Sequence, residues 1–291
     1  MRPTAASPKA TLRILADRWP SAIDGDPGAV HAVRVSTRRL REALRLVDHR
    51  AGGGRKLRHA LKRLTQTLGP IREIDVSIAL VQSIATERPD LSDACRRVSD
   101  RLTAVGVLRR SRASRRLHGV DIDDLKARLR RHLRNKHGRA LPVTGAGTVA
   151  ARVAARAEDA GAHTDSAGAL YAPEALHDVR IAVKKLRYAL EVARQLRIPG
   201  AASAATRLRR HQDRLGDLHD LQILSSHVGR LQARLPVEDG DLRELSDLFS
   251  YVEDRCRELH AAFLSRRKAL VVLCAELSST FRHFDAVADR A

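Results

Sequence analysis

Aromatic residues are nearly missing: Phe, Trp and Tyr make up 3% of the 291 residues, with one Trp and four Phe. A core without them has to be built from Leu, Val and Ala. That suits helical bundles better than sandwiches or barrels, whose strands lean on aromatic and β-branched side chains. Cysteine is scarce too. Cys95, Cys256 and Cys274 are odd in number and far apart, with no C-x-x-C pair, which disfavours a disulfide framework or a zinc knuckle and fits a reducing compartment. The longest apolar run, Ala269 to Ala275, is far too short to span a bilayer. The opening Met-Arg-Pro-Thr-Ala-Ala-Ser-Pro-Lys has no apolar segment of the signal-peptide kind. The expectation is a soluble cytoplasmic protein that makes no membrane contact.

Signatures of catalysis are also wanting. The 13 histidines form no H-E-x-x-H, and His132 and His137, five apart, do not share a helix face. No phosphate-binding glycine loop, nucleophile elbow or dinucleotide fingerprint occurs. Neither a catalytic residue, a metal ligand nor a cofactor is therefore expected, and the protein reads as a binding module rather than an enzyme.

Acidic charge is in deficit. Lys and Arg number 54 against 34 Asp and Glu, a formal net charge of +20. Only eight of the cations are lysines. A G+C-rich genome accounts for part of that choice of arginine but not for the net charge. A soluble fold carrying +20 repels itself and usually has a polyanionic partner. The excess is lopsided: residues 1–146 carry 32 basic and 14 acidic side chains, residues 147–291 carry 22 and 20. The anion-attracting field is expected to be strongest in the first half.

What is abundant is helical periodicity. Apolar residues recur at heptad-like spacing almost throughout, and the spacing predicts helices over 8–19, 28–50, 55–68, 71–87, 91–117, 122–138, 147–161, 173–197, 202–215, 218–234 and within 240–284. Gly69-Pro70, Leu141-Pro142, Pro199-Gly200 and Pro236 punctuate them. The fold class is all-α.

The sequence also repeats itself. Residues 31–44, HAVRVSTRRLREAL, and 177–190, HDVRIAVKKLRYAL, agree at seven of fourteen positions. LGPIREIDV at 68–76 matches LGDLHDLQI at 215–223. Two motifs in one order at nearly one spacing point to two copies of a helical unit, 1–146 and 147–291, joined near 139–147.

On a helix advancing about 100° per residue, His31, Arg34, Arg38, Arg41 and Arg45 share one face, and Val33, Thr37, Leu40, Leu44 and Val47 share the opposite one. The first is a cationic stripe and the second a core face. The second copy places His177, Arg180, Lys184 and Arg187 on a stripe, with Tyr188 beside it, over Val179, Val183, Leu186 and Leu190. In the next helix Arg55, Arg58 and Lys62 align opposite Leu57, Leu61, Leu64 and Leu68. Its counterpart keeps Arg209 and Arg210 and puts His211 at the core edge.

A solvated face is the ordinary fate of a charge run, but such faces mix signs to gain i,i+4 pairs. Between Arg34 and Arg72 stand twelve basic residues and two acids. Stacked like charges cost roughly 1–2 kcal/mol over four or five pairs. A bound polyanion reverses that sign, because guanidinium forks match phosphate oxygens. In the Leu-Gly motif, Gly69-Pro70 reads as the end of one helix and the start of another, with Asp217 an N-cap and Asp220 and Glu73 in the first turn. Arg72 and His219 then project from helix starts that already favour anions. A further block, Arg101 to Arg139, has thirteen basic residues against three acids. It is a flank, an added grip on a ligand or solvated surface. Nucleic acid stays open as the partner, although base-stacking aromatics are scarce and no helix-turn-helix or finger signature occurs.

The motif H-x-x-R-x-x-x-R/K-R/K-L-R, followed by L-G-x-x-R/H-D/E and present twice, resembles the CHAD family (conserved histidine α-helical domain) over roughly residues 8–284. The resemblance implies two four-helix bundles related by an approximate two-fold, with basic residues of both halves lining a central groove or pore. It also implies binding of inorganic polyphosphate and association with polyphosphate granules. Carried over by motif, the binding surface comprises His31, Arg34, Arg38, Arg39, Arg41, Lys62, Arg63 and Arg72 from the first half. The second half adds His177, Arg180, Lys184, Lys185, Arg187, Tyr188, Arg209, Arg210 and His219. This chain departs from the pattern where His219 replaces the usual Arg and Gln222 replaces the acid found at Asp75. Some relatives carry a triphosphate-tunnel domain; none is legible here, so no hydrolase is expected.

Overall fold

Alanine and leucine at helical spacing build every regular element of the fold. The computed structural model describes residues 8–46, 53–133, 146–168, 170–234 and 240–288, and each regular element among them is helical. In order they are α1 (Pro8–Asp17), α2 (Trp19–Ile23), α3 (Pro27–Leu46), α4 (Gly53–Glu87), a 3-10 turn (Pro89–Leu91), α5 (Ser92–His118), α6 (Ile122–His132), α7 (Ala146–Ser166), α8 (Pro173–Gln195), α9 (Ala201–Gln232) and α10 (Gly240–Ala288).

Local chemistry sets several boundaries. Proline at the first position starts α3 and α8, where its missing N–H costs nothing. Asp26 accepts the Ala29 N–H at 2.6 Å ahead of α3, and Asp121 caps α6 through the Asp124 N–H at 2.8 Å. Gly200, at φ 78°, turns the chain into α9. Helix α6 stops at its C-cap Leu133; the expected helix residues 47–50 and 134–138, and residues 139–145 of the join expected near 139–147, lie outside the described residues.

Two expected breaks are absent. Helices predicted over 55–68 and 71–87 are one helix, α4, and those over 202–215 and 218–234 are one helix, α9. Gly69-Pro70 therefore ends nothing, and Asp217 and Glu73 lie inside helices, where they cannot cap. Pro70 leaves the Gln66 carbonyl without its helical donor, and an interior proline costs about 3 kcal/mol. Packing on both sides offsets this: Leu68, Ile71 and Ile74 are all but fully buried.

Buried side chains form two clusters. One joins α1, α2, α3, the first half of α4, the last part of α5 and α6, through residues such as Leu15, Leu40, Leu61 and Leu117. The other joins the second half of α4, the first part of α5 and α7 to α10. Long α4 and α5 thus belong to both clusters. On α7 the core residues are mostly small, Ala150, Val153, Ala154, Ala157 and Ala160, so α10 approaches closely; a Cβ on Gly161 would lie 3.3 Å from that of Cys274. This close packing lets a chain with so few aromatics fill its core. No helix among the described residues is long and apolar enough to cross a membrane.

Candidate functional site

The hydrophobic faces of α3 and α8 bury Val33, Thr37, Leu40 and Leu44 on the one and Val179, Val183, Leu186 and Leu190 on the other. Their opposite faces must then look away from the cores, and they look at each other. Between them, closed by the middles of α4 and α9, lies a cavity of about 550 Å³. Helix α3 contributes His31, Arg34, Arg38, Arg41, Glu42 and Arg45; α8 contributes His177, Arg180, Lys184, Lys185 and Tyr188. Arg72 and Glu73 enter from α4, and His219 and Asp220 from α9.

Arg34 is the most firmly held of these cations. It donates to the Thr65 carbonyl at 2.9 Å, and Thr65 shares a 2.9 Å hydrogen bond with Thr37, which donates back to the Arg34 carbonyl. The guanidinium crosses α4 directly over Gly69, where an added Cβ would come within 3.0 Å of Nη1. The glycine of the Leu-Gly motif therefore makes room for an arginine. Its counterpart Gly216 faces open space.

The cavity holds more cation than it can solvate. Burial, then Arg38, pushes the Arg34 guanidinium down to about 10. Burial and the guanidiniums of Arg38, Arg180, Arg187 and Arg34 push the Lys184 amine down to about 6. His219 is lowered to about 4 by burial and then Arg180, with its ring centroid 4.9 Å from that of His177. His31 is lowered by burial, then by Arg72 and Arg34. Asp220 moves up, because burial outweighs the attraction of Arg180. Each shift disfavours the charged form of a group whose burial is not fully compensated.

Of the residues the sequence assigned to the site, the structure brings together His31, Arg34, Arg38, Arg41, Arg72, His177, Arg180, Lys184, Lys185, Tyr188 and His219. Six stand elsewhere. Arg39 lies 3.6 Å from Glu191, and Arg187 bonds the same carboxylate and Gln212 while stacking 4.7 Å over the Tyr188 ring. Arg39 thus ties α3 to α8 behind the cavity, and Arg187 ties α8 to α9. Lys62, Arg63, Arg209 and Arg210 are exposed and off its walls, because α4 and α9 face the cavity only over their middles. The expected face for Arg72 and His219 is right, but they project from mid-helix rather than from helix starts.

Sequence reasoning missed Thr65, Ser77, Glu42 and Asp220 as lining residues. The buried Ser77 hydroxyl has no hydrogen-bond partner among the described residues. Thr65, Gly69, Arg72 and Val76, and likewise Glu73 and Ser77, are spaced three or four apart once α4 is continuous, and that spacing is the signal that an assumed break at Pro70 conceals. His211 sits half-buried at the core edge as expected, lowered by burial and Arg266. Among the described residues no three His, Cys, Asp or Glu side chains come together as a metal site.

No curated protein matches this chain. Among solved structures it is similar to the crystal structure of the CHAD domain from the plant Ricinus communis, with a TM-score of 0.60 and 22% identity over 94% of this chain and 90% of that one. At that identity the likeness establishes the fold. The model of the family described as CHAD domain matches residues 9–229, most of the chain, and the protein belongs to the CHAD family.

Proposed function

We propose that this protein binds inorganic polyphosphate, without catalysing a reaction, in the cavity between α3 and α8. The observation carrying this reading is the convergence of Arg34, Arg38, Arg41 and Arg72 with Arg180, Lys184 and Lys185 on one cavity. Burial and, after it, their mutual repulsion bring the Lys184 amine down to about 6. An array that strained without an anion is stabilised by one with a charge on every repeat unit. The family resemblance names the same ligand, and a cytoplasmic protein associated with polyphosphate granules follows from it. Among the described lining residues Tyr188 is turned against Arg187 rather than open to a base.

Competition at fixed salt tests the reading: labelled long-chain polyphosphate against duplex DNA, single-stranded RNA and tripolyphosphate. Polyphosphate should displace both nucleic acids at equal phosphate concentration. If duplex DNA wins, the protein is a nucleic-acid-binding module and the proposal falls.

A further inference from the structure

A second cationic cavity, of about 200 Å³, opens where α5 meets the end of α9. Arg101 and Arg109 enter it from α5, His227 and Arg230 from α9, and Arg234 from just beyond α9. Val98, Leu102, Val105 and Leu231 give it an aliphatic lining, and no carboxylate lines it among the described residues. The first cavity, by contrast, holds Glu42, Glu73 and Asp220. Among the described residues Arg101, Arg109, Arg230 and Arg234 enter no ion pair. Arg109 is aimed by the Pro70 carbonyl at 3.3 Å, and Arg230 donates to His227 Nδ1 at 2.9 Å. Burial and the guanidiniums of Arg230 and Arg109 lower His227 to about 4, so it accepts that bond as a neutral ring.

The two cavities share one side of α9. His219 and Ile223 face the first; His227, Arg230 and Arg234 face the second. Steps of three and four keep the four within α9 on one stripe, and Arg234 follows just past its end. Eight residues separate His219 from His227, about 12 Å along the axis. A compact anion fills one cavity or the other. A flexible chain charged at every unit can fill the first and continue into the second. Four guanidiniums converging on one recess, with no acid among its described lining residues, attract such a chain more strongly than arginines scattered singly over a surface.

We infer that the α5–α9 cavity is a second subsite for the same linear polyphosphate, which makes the protein select long chains over short ones. The inference rests on the proposed polyphosphate binding and gives part of the Arg101–Arg139 block its use. Tethering through the first cavity turns the second contact into an intramolecular one, which adds roughly 10²–10⁴-fold.

Calorimetry of the whole chain with tripolyphosphate and with long-chain polyphosphate at fixed salt tests it. The variant combines Arg101→Gln, Arg230→Gln and Arg234→Gln, all at exposed positions. The control, Arg243→Gln with Arg255→Gln and Arg257→Gln, removes equal charge from α10. The subsite variant should lose at least about tenfold in long-chain affinity while tripolyphosphate affinity and Tm stay near wild type. Its long-chain salt slope should shrink by about two, from three lost phosphate contacts at roughly −0.7 each. Arg38→Gln with Arg180→Gln should instead weaken both ligands. A subsite variant that keeps the wild-type ratio of long- to short-chain affinity, or loses no more than the control, overturns the inference and leaves the first cavity standing. A wild type that binds neither polymer overturns both.

Discussion

Lys184 offers the sharpest handle on the mechanism. Its amine is surrounded by Arg34 and Arg38 from α3 and by Arg180 and Arg187 on its own helix, with His219 and Asp220 opposite on α9 and His31 within electrostatic reach. In the empty cavity burial and these cations bring it down to about 6, so near neutral pH it is largely uncharged. Polyphosphate replaces repulsion with attraction and should restore a value near that of a free lysine. Binding then takes up a proton, and affinity falls as pH rises. Between the empty and bound values the slope approaches about tenfold per pH unit. With the empty value at about 6, affinity should drop about 50-fold from pH 6 to pH 8 on Lys184 alone. His31 and His219, both lowered, steepen the curve toward its acidic end.

The decisive variant is Lys184→Arg, which keeps the charge at every pH in range. It should bind up to about 100-fold more tightly than wild type at pH 8, about twofold at pH 6, with the slope gone above pH 7. Long chains are the right ligand, since their few end groups titrate little per molecule. Calorimetry in two buffers of different ionisation enthalpy counts the proton directly. Lys184→Met removes the group and should raise the Tm of the free protein by several degrees near pH 7. The sign follows from the folded value lying below the free one: stability is intact above the free amine's range and lost as pH falls toward about 6. Lys184→Arg with an undiminished slope between pH 7 and 9 would refute the reasoning.

Other consequences are simpler to check. Gly216→Ala, mid-helix with nothing near the new methyl, should raise stability by about 0.5–1 kcal/mol in urea titrations. Gly69→Ala gains the same propensity but pushes on Arg34 Nη1 at 3.0 Å, so it should gain less and weaken polyphosphate several-fold. Asp75→Ala strands the Arg110 guanidinium, which bonds that carboxylate; with the acid 7% and the arginine 28% exposed, the loss should be about 2–4 kcal/mol. Saturating polyphosphate should raise the Tm, by about 2.7 kcal/mol of added stability at a hundred times Kd, and binding should weaken log-linearly with salt.

The core faces and the cationic stripe of α3 and α8 are legible in the sequence because one helical period governs both. Val33 and Arg34 differ by a single step, and nothing but the angle of that step sends one into a core and the other into a cavity. The middles of α4 and α9 were hidden for a local reason. Gly69-Pro70 has the chemistry of a helix end, and only the burial of Leu68, Ile71 and Ile74 around it keeps the helix running. Read as a break, it turns Gly69 into a cap and scatters Thr65, Arg72 and Ser77 over two elements. Arg39 and Arg187 were misplaced for a different reason: periodicity gives a direction from the axis, whereas Glu191 decides where those guanidiniums stop.

Charge counted along the chain also differs from charge counted at the site. By residue number nearly all of the excess lies before residue 147, which predicts a lopsided field. Inside the cavity the halves are close to balanced. The first brings Arg34, Arg38, Arg41, Arg45 and Arg72 against Glu42 and Glu73; the second brings Arg180, Lys184 and Lys185 against Asp220. The second half's other acids are spent away from the cavity. Glu158 holds Arg282, Asp165 holds Arg267, Glu276 holds Arg207, and Asp254 and Glu258 hold Arg257 and Arg255. Most of these pairs lie on the solvent side of α7 and α10, where they are screened and contribute little to binding. The first half's surplus, in turn, stands partly on α5 and α6, outside the first cavity. Net charge per half is therefore a poor guide to the field a ligand meets. At or below about pH 6, where Lys184 is charged, neutralising Lys184 and Lys185 should cost about as much affinity as neutralising Arg38 and Arg41, although the half that carries the lysines is almost neutral. A loss confined to the Arg38 and Arg41 variant would show that the lopsided count, rather than the cavity, sets the field.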